Sequence, residues 1–369
     1  MQNPKLKARI IAFYLPQYYP TELNNQWYGM GFTEWTNVGK AQKLFRNHYQ
    51  PHVPADLGYY DLRNPETRKL QAQLAKEAGI EGFCYYHYWF GEGHEELDIP
   101  FKEVVKSGEP DFPFCLCWAN QSWYSKFWNN DINCAPKLIA EQKYDNEEWR
   151  TKHFLSLLSA FQDKRYIKID NKLLFMIYRP LEYPDVKIFM DHWKELAAQY
   201  HLPGFYFVGQ ATNEKDAELI LKLGFDGVNI SRKDDFLSTY KYANFFNKYR
   251  CKLIRLFGGA PYHYQYKDIV DSFINISGIE NNHNVFPTLI HNWDHSPRSG
   301  KRAVIFHNAH PEFFRKNIRQ ALKVIEQKDL EHKIVFLKSW NEWGEGNYIE
   351  PDLKYGRGYI NVLKEEIKG

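Results

Sequence analysis

Several absences narrow what this sequence can be. No stretch reaches the roughly 18 consecutive apolar residues of a membrane-spanning helix. The apolar run nearest the start, "IIAFYL", lasts six residues before Pro16, with no small-residue cleavage site after it. Neither a membrane span nor a secretory signal is therefore expected, and a cytoplasmic location is. The formal charge of +3 is small and no run of lysines or arginines concentrates it, so a nucleic-acid partner is not expected either. Cysteines number five, an odd count, and Cys84, Cys115 and Cys117 sit in apolar runs where the thiol acts as a small buried hydrophobe. With Cys134 and Cys251 they form no disulfide framework, which fits a reducing compartment.

Motifs for other chemistries are missing too. Neither G-x-x-x-x-G-K-[ST] nor G-x-G-x-x-G occurs, so no phosphate-cradling loop is announced. None of the 19 aspartates forms D-x-D, the metal-bridging pair of many nucleotide-sugar transferases. No serine or cysteine stands in a nucleophile elbow. His291 and His295 in "HNWDH" have metal-ligand spacing but straddle a strand end rather than one helix face, so no metal is expected, and no cofactor.

Aromatic residues are what the chain has in excess: 11 Trp, 26 Tyr and 26 Phe make 17% of it. Eight apolar runs recur along the chain, at 9–17, 81–90, 113–120, 172–180, 205–210, 225–231, 285–293 and 333–343. They are continuous rather than alternating, the pattern of parallel strands covered on both faces. Helical signals fall between them. Asn64 with Pro65 opens one helix that passes Leu70 and Leu74 and closes at Gly79. Val186, Met190, Trp193, Ala197 and Tyr200 line another. Asn213 caps a third with Leu219 and Leu223 inward, and Pro311 begins one bearing Phe314, Ile318, Leu322 and Ile325.

This alternation predicts a single (β/α)8 TIM barrel over 1–369, a fold that needs about 250 residues and tolerates insertions. The surplus falls after strands 1, 3 and 6, at 18–63, 121–144 and 232–267. An open doubly wound sheet is the alternative architecture, and it lacks its nucleotide loop.

Barrel active sites lie where strands end. The ends carry Tyr14 and Gln17; Tyr86, His87, Tyr88 and Trp89; Trp118 and Asn120; Tyr178; Trp293; and Trp340, Asn341, Glu342 and Glu345. Rings beside amides and carboxylates suit a sugar, which offers apolar C–H faces and many hydroxyls. An oligosaccharide or polysaccharide is thus the expected partner. Glu342 and Glu345 stand three apart, so one helical turn brings their side chains to the same face. Two neighbouring carboxyls can divide acid and base roles, with Trp343 as an apolar neighbour to raise one of them. Glycosidic cleavage with retention asks for a pair about 5–5.5 Å apart. Glu350 is expected to close the loop or touch a distal hydroxyl. Glu34 and Trp35 are expected to reach over the pocket, and Arg298 to cap its rim.

The stretches "AFYLPQYYP", "GFTEWTNV", "HYQPHVPADLGYYDLR", "GIEGFCYYHYWF", "FPFCLCWAN" and "KSWNEWGEGNYIEPD" resemble the WbsX-type family of bacterial O-antigen and capsule polysaccharide biosynthesis loci, from about residue 8 to 362. That family is related to glycoside hydrolase family 99, the retaining (β/α)8 endo-α-mannosidases. The resemblance implies that Glu342 takes the proton of the sugar 2-hydroxyl, whose oxygen displaces the leaving group through a 1,2-anhydro sugar. It implies that Glu345 protonates the departing oxygen and later activates water. Two positions depart from the pattern: Gln121 replaces the glutamate of the usual "WANE", and Gly344 stands where the mannosidases carry histidine. Three functions are compatible with this reading: a retaining glycoside hydrolase, a glycosyltransferase, and a carbohydrate-binding pseudoenzyme without turnover.

Overall fold

In the computed structural model, which describes residues 6–125, 137–235 and 261–368, each of the eight apolar runs is a strand. They are β1 (Arg9–Tyr14), β2 (Ile80–Gly91), β3 (Phe114–Trp118), β4 (Lys172–Ile177), β5 (Phe205–Ala211), β6 (Gly227–Ile230), β7 (Val285–Ile290) and β8 (Ile334–Lys338). Every consecutive pair is parallel, and β8 pairs in parallel with β1, Ala12 opposite Leu337. The sheet closes on itself, which makes the fold a (β/α)8 barrel.

Helices cover the outside: α1 (Pro65–Ala78), α2 (Ile99–Ser107), α3 (Glu147–Ser156), α4 (Val186–Gln199), α5 (Glu214–Lys222), α6 (Tyr266–Ile269), α7 (Pro311–Ile325) and α8 (Gly358–Lys368). The caps fall where the sequence places them. The Asn64 and Asn213 side chains accept from Glu66 N–H and Asp216 N–H, and α1 ends at Gly79 in the left-handed region, φ +84°. The buried stripes differ in detail. Leu70, Leu219 and Tyr200 face solvent, while Gln71, Leu74 and Ala78 on α1 and Ala217 and Ile220 on α5 face the sheet. A one-residue drift in a 3.6-residue period suffices for that.

Strand alternation divides the core in two. Inside the barrel, the Phe13 ring stacks 5.5 Å from both Tyr86 and Phe336. Outside it, fully buried Trp193 on α4 packs 4.8 Å from Phe175. Cys84, Cys115 and Cys117 are buried free thiols, whereas Cys134 and Cys251 lie outside the described residues. The insertion after β1 carries two short helices, Glu22–Tyr28 and Glu34–Lys40. Residues 236–260 of the insertion after β6 lie outside the described residues, and Tyr262–Gln265 at its end pairs in parallel with Val304–His307. The segment from β7 to α7, not expected as an insertion, also folds over the strand ends and brings Arg298 with it.

Candidate active site

The residues after β8 form a tight hairpin. Asn341–Glu342 pairs antiparallel with Asn347–Tyr348, and Trp343–Glu345 makes a single 3-10 turn between them. The chain reverses at Gly346, whose φ of +58° is left-handed; a Cβ there would lie 2.8 Å from the Asp294 backbone nitrogen. The Asn341 amide accepts from Leu15 N–H at 2.8 Å and donates to Leu15 C=O at 2.9 Å, locking the hairpin to the end of β1. Trp343 stacks on Tyr348, ring centroids 3.6 Å apart, and its Nε1–H donates to Glu350 at 2.6 Å.

This frame sets Glu342 and Glu345 against one guanidinium. Arg298 Nη1 lies 2.6 Å from Glu345 Oε1, and Nη2 lies 3.3 Å from Glu342 Oε2. Its other edge grips Glu34 in a fork, Nε to Oε1 and Nη2 to Oε2, each at 2.9 Å. Gly344 makes that possible, because a Cβ there would lie 1.7 Å from Glu34 Oε1. Asp294 braces the segment before Arg298: its carboxylate accepts from Gln50 at 2.7 Å and from Ser296 N–H at 2.9 Å, and lies 2.8 Å from His48 Nε2. Its own N–H donates to Glu345 C=O at 2.7 Å.

The two carboxyls differ in charge. Burial, then the negative Glu345 nearby, pushes Glu342 up to about 7, against the pull of Arg298 and Lys338. Burial also works against ionisation of Glu345. There Arg298, with His295 3.6 Å away and Lys338, outweighs it and holds the carboxyl well below the usual range. As pH falls through about 7 the pair therefore takes up a proton, and it takes it on Glu342 rather than on Glu345.

Above the pair opens a cavity of about 550 Å³, the size of a small-ligand site, at the C-terminal ends of the strands. Of the residues expected from sequence, it brings together Gln17, Tyr86, Gln121, Tyr178, Glu342 and Glu345. Glu34 reaches it as expected.

Others lie elsewhere, and alternation explains most of them. Successive strand residues point to opposite faces, so Tyr86 and Tyr88 face in while His87 and Trp89 face the helices. Tyr14 turns out to α1, its hydroxyl donating to Gln71 at 2.6 Å. His87 meets His153 of α3 at 2.9 Å, Trp89 stacks on His153, and Trp118 donates to Trp89 C=O at 3.0 Å. Trp340 is fully buried against Phe83. None of these five lines the cavity.

Asn120 and Asn341 are buried backbone clamps, the former accepting from Arg179 N–H at 2.7 Å. Trp35 packs beneath the site, its Nε1–H donating to Tyr60 C=O. Glu350 is buried under Trp343, Gln71 and Tyr60, all donors to it, so it closes the loop rather than meeting a sugar. Trp343 accordingly serves Glu350 and not Glu342. Trp293 stands behind Lys338, whose Nζ is 5.8 Å from its ring.

Arg298, expected at the rim, is at the centre. Tyr88, one of the strand-end residues, lines the cavity. Lys338 and Trp123 line it too and were not expected; counting in twos from Phe336 would have pointed Lys338 inward. His291 faces Phe314 and Tyr359 while His295 faces Glu345, so the two do not form a metal pair. Among the described residues, the group close enough to hold a metal ion is His283, Asp329 and His332, at the strand starts on the opposite end of the barrel.

The profile of the family described as "Glycosyltransferase WbsX" matches residues 10–363. The chain belongs to the WbsX family. Two proteins of Xanthomonas campestris pv. campestris, from different strains and each named "Uncharacterized protein WxcX", are 28% and 27% identical to it over 98% of its length. The match covers 50% of each, so this WbsX chain spans about half the length of these relatives. Among solved structures, a "Glycoside hydrolase-like protein" superposes with a TM-score of 0.63 at 16% identity, covering 99% of this chain and 95% of the other. The GH99 endo-α-mannosidase of Bacteroides thetaiotaomicron superposes with a TM-score of 0.57 at 15% identity, covering 98% and 97%. At such identities the likeness is one of fold.

Proposed function

We propose that this WbsX chain is a carbohydrate-active enzyme that cleaves, or transfers from, an α-linked glycoside in surface-polysaccharide metabolism, with Glu342 and Glu345 as its acid–base pair. One observation carries the reading. Two inward carboxyls sit on adjacent nitrogens of one arginine beneath a cavity walled by Tyr86, Tyr88, Trp123 and Tyr178. Their surroundings push the pKa of Glu342 up and hold that of Glu345 down, the split a carboxyl pair needs to give a proton and take one in a single step.

In the order implied by the resemblance, Glu342 removes the 2-hydroxyl proton, O2 bonds to C1, and the bond from C1 to the leaving oxygen breaks as Glu345 protonates that oxygen. Water or an acceptor hydroxyl then opens the 1,2-anhydro sugar, losing its proton to Glu345 while O2 regains one from Glu342. Burial and the neighbouring charges favour the proton on Glu342 over Glu345, so this order requires it to pass to Glu345 as the sugar enters. The reverse order, with Glu342 as acid, requires no such transfer.

The test is incubation with α-mannosyl and related α-linked oligosaccharides, alone and with acceptor sugars. Product formation that disappears in Glu342→Gln and Glu345→Gln supports the reading. No product from the parent, or product unaffected in both variants, overturns it.

A second reading, transfer from a nucleotide sugar, is favoured by the family's description as a glycosyltransferase. Tight, metal-dependent binding of a nucleotide sugar would select it. A third, glycan binding without turnover, draws on Gln121, an amide in the cavity wall where the resemblance expects a carboxylate. Glycan affinity without product, unaffected by Glu345→Gln, would select that one.

A further inference from the structure

Among the described residues, two cations line the cavity, and they differ in what they hold. The Arg298 guanidinium is engaged on both edges by Glu34, Glu345 and Glu342. The Lys338 ammonium makes no hydrogen bond and has no carboxylate within 4.0 Å among the described residues, although the residue is only 6% exposed. It is the last residue of β8, two past the inward-facing Phe336, so its side chain enters the barrel mouth. The Tyr178 and Trp293 rings flank its ammonium at 5.9 and 5.8 Å, and the remaining side opens to the cavity. Burying an ammonium with unfilled donors is costly, and such groups are ordinarily paired. Its neighbours nonetheless keep it charged: burial alone would lower its pKa, but Tyr178, Glu345 and Glu342 hold it above the usual lysine value.

We propose that Lys338 is the counter-ion of a carboxylate carried by the substrate, so that the pocket takes a sugar bearing one carboxylate, such as a uronic acid residue. The inference rests on the glycan reading above. A single compact ammonium with free donors matches a monovalent anion. A phosphate dianion asks for a second free cation, and among the described residues lining this cavity Arg298 is already neutralised. Tyr86, Trp123 and Tyr178 are placed to meet the C–H faces of the same ring.

The test compares matched ligands by calorimetric titration at one ionic strength: methyl α-glycosides of glucuronic, galacturonic and mannuronic acid against their uncharged methyl esters, with methyl phosphate as a third probe. One of the acids should bind roughly tenfold or more tightly than its ester. Lys338→Met, whose melting temperature reports that it folds, should abolish the difference, and Lys338→Arg should keep part of it. Equal binding of every acid and ester, or a preference that survives in Lys338→Met, overturns the role of Lys338 and leaves the glycan reading standing. Methyl phosphate binding more tightly than every acid overturns the carboxylate assignment. No binding of acid or ester, by parent or variant, overturns both readings.

Discussion

Gly344 and Glu34, 310 positions apart in sequence, share one small volume: a Cβ on the glycine would lie 1.7 Å from Glu34 Oε1 and 3.0 Å from Arg298 Nε. The family resemblance leads one to expect histidine at that point of the turn. Here the space is filled by an ion pair arriving from the loops after β1 and β7, and the turn is bare so that the pair can reach it.

Gly344→Ala should therefore expel the Glu34 carboxylate and break its fork with Arg298. Separating the partners of a buried pair costs about 3–5 kcal/mol, read by denaturant unfolding. In a Glu34→Ala background the same substitution should cost far less, since the atom it strikes is gone. Equal cost in both backgrounds would show that the two positions are not coupled.

Removing Arg298 should strip both Glu34 and Glu345 of their counter-ion. Arg298→Met is expected to raise the pKa of Glu345, to lower turnover on any accepted glycan by roughly 10²–10⁴-fold through loss of the split protonation state, and to destabilise the fold. Arg298→Lys should restore little, because one ammonium cannot fork to Glu34 and still reach both other carboxylates. Turnover measured beside a thermal melt checks both effects.

Glu342 gives a pH signature. Its folded pKa, pushed up to about 7, exceeds that of the unfolded chain, so between the two values the native state binds more protons. Stability contributed by the protonated form is present at low pH and is lost as pH rises through about 7. Glu342→Gln, neutral at every pH, should thus be more stable than the parent above pH 7, by roughly 1–3 kcal/mol, while losing turnover. The gain should vanish near pH 5. A variant no more stable than the parent at pH 8 would contradict the assignment of the proton.

The barrel was legible because eight apolar runs and their caps are local signals, and parallel strands with covered faces advertise themselves in continuous hydrophobicity. The glutamate pair was legible because both members lie in one turn. Arg298 was not: its place depends on a segment after β7 that carries no periodic signal, and on meeting Glu34 from a different loop. Tyr14, His87, Trp89 and Trp118 look like pocket residues in the sequence because they end strands. Whether such a residue faces in or out depends on its position in the alternation, fixed only once Phe13, Tyr86 and Phe336 are known to meet inside.

That division predicts different phenotypes for neighbouring residues. Trp118→Ala, on the outer face against His153 and Phe189, should cost about 3–5 kcal/mol of stability and leave the KM of the folded fraction unchanged. Tyr86→Ala, on the inner face, should raise KM. Denaturant unfolding and initial-rate kinetics on the same preparations separate the two. A changed KM in Trp118→Ala would place that ring in the substrate's path.

The central claim is that Glu342 and Glu345 divide acid and base work at one glycosidic bond. Proton NMR of the anomeric signal during turnover of an accepted α-glycoside, with parent, Glu342→Gln and Glu345→Gln and with an aryl glycoside whose leaving group needs no proton, tests it most directly. The account predicts a first product of α configuration from the parent. In the order implied by the resemblance, activity on the aryl substrate returns in Glu345→Gln and not in Glu342→Gln, and the opposite pattern would reverse the two roles. A β-configured first product, or full activity in either variant on the unactivated substrate, would contradict the account.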